Sequence, residues 1–580
     1  MTPAHREGRP LPCRTRQPFS RGGTVTDDRL ADLAADYFQD GTETDPFAAT
    51  AWGVAGHDGD VPDPSRDADR RRLDRLDGFR RRLDGVDAAG LTGQDVVTHA
   101  MLDRLLRTER AELASGFGVG TAEIAVSASL VGVQNLVFGT VPVVRLATPE
   151  DTADYLRRLE GLGGYFDAAG QRYREAGADG RHPTASGVRQ AAEQLRGYLA
   201  SDLSDDPFLR PAQGDDATRV AEVVQRTVRP ALARLAATFT DALLPVARDD
   251  EHVGVCFVPG GEEAYAAALE AHTTTELTPE EIHQIGLTRL AEVHDEVSAL
   301  GSRLFGTSTV PEVLRRLRDD EELRFDTADE IVACAVAALE RAQSALPRWF
   351  RHYEIAPCVV EAMHPAEAEG SVLGYYRPPA DDGSRPGAHV VNTHEPWTRP
   401  RFEYEALAFH ESVPGHHLQI ALAQSLKDVP DFRRFVYVTA HAEGWGLYTE
   451  RLADEMGLYT DDLTRMGMLS FDAWRACRLV VDTGMHHFGW SRDRALAFLR
   501  DNTAATASNV RNEIDRYIAW PGQAPAYLLG RLHIEGLRAK AEQALGDRFD
   551  PRDFHHHVLS NGAVPLGTLT DVVERWVATA

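Results

Sequence analysis

The stretch His410-Glu411-Ser412-Val413-Pro414-Gly415-His416-His417 decides how the chain is read. A histidine followed by glutamate opens the H-E-x-x-H arrangement, in which two histidines one helical turn apart hold Zn²⁺ and the glutamate serves as base. Here the position four after His410 is Pro414, and the next histidine is His416. On an ideal helix His410 and His416 point about 120° apart, whereas His410 and His417 share a face but lie about 10 Å apart along the axis. Neither pair fits one tetrahedral ion. Pro414 has no N–H, and its ring collides with the carbonyl four residues back, that of His410 itself; Gly415 permits backbone angles that other residues resist. Two readings follow. Either an ordinary helix ends at Val413 and the paired histidines cap something, or a Pro-Gly bulge loops out two residues. The bulge returns His416 to the one-turn position and leaves Glu411 facing the metal, with His417 as the runner-up ligand.

A catalytic zinc takes three protein ligands and keeps one open position, so a third ligand is sought on the following helix. Asp428, Pro430 and Asp431 mark a turn, and the next helix carries His441-Ala442-Glu443-Gly444-Trp445-Gly446-Leu447-Tyr448-Thr449-Glu450. Glu443, flanked by small residues that let helices approach, is the candidate ligand, with His441 as the alternative. Glu450, seven residues on and on the same face, would support a ligand histidine from behind.

The helix expected over 461–488 is mostly apolar, yet Arg475, Arg478, Asp482 and His486 recur on it at spacings of three and four. Buried charges need partners. Asp482 would orient a ligand histidine, His486 would donate to a developing oxyanion, and Arg478 would hold a substrate carboxylate with its bidentate fork. An internal Arg–Asp pair is the plainer account, above all for Arg475. Between Arg516 and Tyr527 a tight turn joins two helices; Tyr517 or Tyr527 would stabilise the oxyanion, and Arg516 is the second candidate for a free carboxylate. Tyrosine rings packed at a helix junction are the alternative. His394-Glu395 lacks a second histidine and His555-His556-His557 lacks an acidic base, so both read as surface features.

Outward from this region, helices are expected over 149–177, 182–202 and 216–245, a short β-like run over 253–258, and a helix entered at Thr278-Pro279-Glu280-Glu281. Alternating valines and tyrosines between 355 and 393, around Asp381-Asp382-Gly383-Ser384-Arg385-Pro386-Gly387, predict a hairpin or small antiparallel sheet next to the His410 helix. Such an edge would hold a substrate backbone by strand addition. The fold class is therefore mainly α, a large multi-helical fold beside a deep cleft. Residues 1–25, rich in Arg and Pro without an apolar run, read as a disordered extension; 26–580 read as one helical domain, with two lobes (about 26–350 and 351–580) as a possible division.

The chain has 62 Lys+Arg against 89 Asp+Glu, a formal net charge of −27. Nucleic acids and anionic membranes are polyanions, so neither is an expected partner. Five scattered cysteines, none in C-x-x-C spacing, suggest neither a disulfide framework nor a thiolate metal site, and a cytoplasmic location is expected.

Several segments together resemble the bacterial family known as domain of unknown function 885. They are HTTTELTPEEIHQIGL (272–287), the DDGSRPG and VNT pieces, HESVPGHHLQ (410–419), EGWGLYTE (443–450), RLVVDTGMH (478–486) and RYIAWPGQAPAYLLG (516–530). The resemblance implies a zincin-like helical fold similar to gluzincin-type peptidases, in a family whose members include zinc-dependent carboxypeptidases. It implies Zn²⁺ held by His410, His416 and Glu443, with Glu411 as general base. It favours His416 over His417, because some relatives lack the second histidine of the pair. Two departures stand out. His441 replaces a residue often apolar in relatives, and relatives are often exported lipoproteins whereas this chain shows no signal, which points to intracellular substrates. The expected activity is hydrolysis of short peptides from the carboxyl end or as dipeptides. The alternatives are hydrolysis of an amide in a small metabolite and a metal-bearing binding protein without turnover. Monomer and homodimer are equally compatible with the sequence.

Overall fold

The structure is a computed structural model that describes residues 28–116, 123–128, 131–364, 368, 372–380, 383 and 385–580. The N-terminal extension expected over 1–25, and Asp381, Asp382 and Ser384 of the expected sheet loop, lie outside the described residues.

Helices dominate, and their starts follow the local chemistry of the sequence. Thr148 and Asp151 close a reciprocal cap on Pro149–Ala178, as Thr278 and Glu281 do on Pro279–Phe305; each pair satisfies backbone N–H groups that a helix start leaves unpaired. The run expected over 216–245 is one rod of changing pitch, with π-helical segments at Val224–Val228 and Thr238–Leu243. The β-like run at 253–258 is corrected: it is a 3₁₀ turn, Val255–Phe257. Its residues lie against the end of a helix, with the Val255 N–H donated to His486 Nδ1 at 3.2 Å, so no neighbouring strand can pair with it.

The sheet has three strands, β1 (Cys358–Ala362), β2 (Gly374–Arg377) and β3 (Gly387–Val391), in the order β1-β3-β2. β2 and β3 pair antiparallel, as a hairpin would, but β1 pairs with β3 in parallel, so the sheet is mixed rather than antiparallel. β2, the next strand in sequence after β1, lies on the far side of β3. All five residues of β3 are buried, as befits a central strand covered on both faces.

Two helix pairs position the site. Asp462–His486, buried almost throughout its last twenty residues, packs on Pro279–Phe305, where a Cβ on Gly286 would lie 2.7 Å from Leu479 Cβ. Thr439–Glu455 packs on Ala526–Leu545 at a mutual glycine contact, where a Cβ on Gly444 would lie 2.5 Å from the Gly530 carbonyl carbon. Contacts this close need residues without side chains. Among the described residues no helix is long and apolar enough to cross a membrane.

Candidate metal centre and its cavity

The helix entering the 410–417 stretch is Tyr404–Glu411, and a new helix begins at His416. The interruption is thus a complete break rather than a bulge in one continuous helix. Ser412 to Gly415 form a tight turn across a cis Val413–Pro414 peptide. A Cβ at Gly415 would fall 1.9 Å from the His410 carbonyl oxygen, so glycine alone fits there. Trp445 Nε1 donates to the Pro414 carbonyl at 2.9 Å and ties the turn to the neighbouring helix.

This turn brings His416 back toward His410, with ring centres 4.6 Å apart. Glu443 completes the group: its Oε2 lies 3.6 Å from His410 Nε2 and 3.4 Å from His416 Nε2. Among the described residues these three offer ligand atoms within 4.8 Å of one another. Ligands about 2.0–2.1 Å from a tetrahedral zinc stand roughly 3.3 Å from each other, so the spacing suits such an ion. The donor set of two imidazoles and a carboxylate is one that Zn²⁺ accepts.

The surroundings fix the ligand atoms. Glu450, fully buried, meets His410 Nδ1 at 2.8 Å and so turns Nε2 toward Glu443 and His416. Gly446 supplies the space for that ring, since a Cβ there would lie 2.6 Å from it. Tyr437, which the sequence reading missed, donates its hydroxyl to Glu443 Oε1 at 2.7 Å and leaves Oε2 for the histidines. It lies in the turn before the Glu443 helix, where no periodicity marks it.

Charge is concentrated here. Against its burial, Glu443 and Glu450 hold His410 protonated to about pH 10. Against its own burial, Glu443 is held well below the usual carboxylate range by His410 and His416. A cation binding between the three would replace that shared proton. Glu411 is raised above its ordinary value by burial, with His410 and His416 opposing.

A cavity of about 1720 Å³ opens over the group, and His410, Glu411, His416 and Glu443 all line it. So do Tyr527, Arg475, Arg478 and Arg516, and the β2 strand forms part of its wall. Arg478 Nε donates to Tyr517 Oη at 2.7 Å and its Nη2 to Glu513 at 3.1 Å. Arg516 is held by Gln523 at 2.9 Å and Glu513 at 3.0 Å. The Tyr527 hydroxyl accepts from Gln523 at 3.4 Å, a bond that does not use its proton.

Other candidates are placed elsewhere. Tyr517 is buried outside the cavity, its hydroxyl accepting from Arg478 and Trp474 and donating to Glu513, so it has no proton left for an oxyanion. His486 is corrected likewise: Nε2 meets the Tyr517 carbonyl at 3.0 Å and Nδ1 accepts from Val255, so both nitrogens serve the backbone. Asp482 accepts from Tyr265 at 2.6 Å and from the Gly522 N–H at 3.2 Å, anchoring the 520–525 turn instead of a ligand histidine. His417 spans the Ala356 carbonyl at 3.0 Å and the Tyr376 hydroxyl at 3.1 Å, linking its helix to the sheet and standing outside the ligand group. The rival ligand His441 points to the Val564 backbone at 3.0 Å. His555 is fully buried, not a surface residue, whereas His394 and Glu395 lie on the cavity rim.

No curated protein matches the chain. The structure is similar to the crystal structure of a "putative lipoprotein" from Colwellia psychrerythraea, 27% identical with a TM-score of 0.89, covering 96% of this chain and 100% of that one. It is also similar to a "putative lipoprotein of unknown function" from Shewanella oneidensis, 17% identical with a TM-score of 0.72, covering 94% and 99%, a likeness that shows the fold alone. A family model described as "Bacterial protein of unknown function (DUF885)" matches residues 46–573, nearly the whole chain, and the chain belongs to that family.

Proposed function

We propose that the protein is a metal-dependent hydrolase of peptide or amide bonds that acts on short peptides, with His410, His416 and Glu443 holding Zn²⁺ in a gluzincin-like arrangement. The observation that carries this reading is the convergence of those three ligand atoms within 4.8 Å on the wall of a large cavity, with Glu411 beside them. A structural metal has no use for a free carboxylate facing a cavity; a hydrolytic site needs one as a base. When bound, the ion supplies Lewis acidity for the scissile carbonyl and lowers the pKa of water.

The chain's own residues do the rest. Glu411 takes a proton from the attacking water on its carboxylate and returns it to the leaving amine. Its raised affinity for a proton, caused by burial, suits a group that must hold one between those two steps. Tyr527, whose hydroxyl proton is uncommitted, donates to the carbonyl oxygen as negative charge develops there. The edge of β2 faces the same space and holds the substrate backbone. Arg478 and Arg516 make the far wall basic, which suits a substrate with a free carboxylate. Location follows the relatives: their description as lipoproteins supports the cell envelope over the expected cytoplasm, and fractionation of the native host decides between them.

The test is Glu411→Gln in metal-loaded protein, with hydrolysis of a peptide library followed by mass spectrometry. The variant keeps one metal per chain by elemental analysis and loses at least ~10²-fold in rate. Wild-type rates in that variant, or no chelator-sensitive hydrolysis by the wild type, would overturn the reading.

A further inference from the structure

Arg475 is the least expected residue of the cavity. It is 6% exposed, and its Nε and Nη1 have no hydrogen-bond partner among the described residues. Its guanidinium lies 4.6 Å from the ring centres of both Phe471 and Trp474. The internal Arg–Asp pair expected from the sequence does not form: Asp482 is bound to Tyr265 and Gly522, and Asp472 to Arg451 and Arg531. Among the described residues, Glu403, Glu411 and Glu450 are carboxylates whose fields reach Arg475. None of them forms an ion pair with Arg475 among the described residues. Glu450 holds His410, Glu403 accepts from Ser470 at 2.8 Å, and Glu411 faces the histidine pair. One turn on, Arg478 is 4% exposed and leaves its Nη1 unpartnered. It stands 4.3 Å over the ring of Tyr527. Both arginines line the same cavity as the metal group.

An unpaired buried guanidinium is costly, and a chain gains nothing from it unless something arrives to pair with it. Arg475 and, one helical turn on, the single open nitrogen of the otherwise paired Arg478, both beside aromatic faces, form a recess for one anion. Among the described residues the cavity is lined by nine arginines and seven Asp or Glu residues, in a chain whose net charge is −27. We propose that Arg475, together with Nη1 of Arg478, is the subsite that takes the free α-carboxylate of a peptide, and that this contact makes the enzyme select substrates by their carboxyl end. Arg516, already paired with Glu513 and Gln523, is not the anchor. The placement of this subsite relative to the cleaved bond rests on the hydrolase reading; anion binding does not.

The experiment uses N-acetyl-dialanine as free acid and as C-terminal amide, titrated calorimetrically into the metal-free chain, and parallel cleavage of acid and amide peptides by the metal-loaded chain. A charge-assisted contact predicts that the acid binds about tenfold tighter than the amide. Arg475→Gln removes that preference, so that acid and amide bind and are cleaved alike, and its Tm is equal to or above that of the wild type. Arg475→Lys, which keeps the charge without the fork, retains part of the preference. An unchanged acid-to-amide ratio in Arg475→Gln, or a Tm loss in both variants with that ratio intact, would mean a structural arginine and overturn the proposal. Selective acid binding without any peptide cleavage would sink the hydrolase reading alone. Cleavage indifferent to the carboxyl end would sink the subsite alone.

Discussion

His410 and His555 are almost equally withdrawn from solvent, at 4% and 0% exposure, yet they occupy opposite surroundings. His410 lies between two carboxylates, Glu443 and Glu450, which keep it charged in spite of burial. His555 lies between the Trp349 carbonyl and the Tyr448 hydroxyl, stacked at 4.6 Å on Phe350, and burial drives it down to about 3. His417, His441 and His486 resemble His555, each serving backbone groups and each lowered to about 4, first of all by burial. Burial therefore does not mark a ligand histidine. What sets His410 apart is a carboxylate behind the ring and two further possible ligand atoms in front, an arrangement that could hold a cation.

The contrast is broken most severely by removing a ligand. His416→Ala loses metal affinity by 10²-fold or more, read by competition with a chromophoric chelator, whereas His417→Ala, one residue away, keeps it. Equal losses would mean that the pair acts together and that the geometric distinction is false.

On the interior side, His555→Ala costs about 2–4 kcal/mol in denaturant unfolding, from an emptied buried site and two lost hydrogen bonds, with no change in metal content. A fall in metal affinity there would erase the boundary between the two groups. Glu450→Gln sits between the extremes: it weakens metal binding 10- to 100-fold while saturating metal still gives one ion per chain.

Titration of the metal-free chain gives the smallest and most graded test. The interior histidines have folded values below the ordinary 6.5, so their contribution is present above pH 6.5 and is lost as pH falls toward 4, at up to about 1.4 kcal/mol per pH unit for each. His410 runs the other way. Its contribution is present below pH 6.5 and declines as pH rises through about 10. Unfolding free energies across pH 4 to 10 should show both limbs, and metal should abolish the alkaline one, because binding takes the proton that His410 would otherwise lose.

Much of this was legible in sequence because it is local. Capped helix starts at Thr148 and Thr278, an interruption of the helix at Pro414, and the seven-residue spacing of Glu443 and Glu450 each depend on neighbours in the chain. The helical stripe of Arg475, Arg478, Asp482 and His486 was legible too, but not what each member meets. Along a single helix a polar stripe states only that partners exist. The turn at 520–525 engages Asp482, the Tyr517 carbonyl and the Val255 N–H engage His486, and Glu513 takes one side of Arg478.

The sequence by itself thus determined a mainly helical chain with a histidine–glutamate motif interrupted by Pro-Gly, since those follow from backbone stereochemistry and periodicity. Only the tertiary structure decided that the interruption ends one helix and starts another, that His416 rather than His417 joins His410 and Glu443, and that Arg475 forms no ion pair among the described residues. Those outcomes depend on contacts between segments distant in sequence. The Trp445 bond to Pro414 and the space left by Gly446 exist only once the helices have packed.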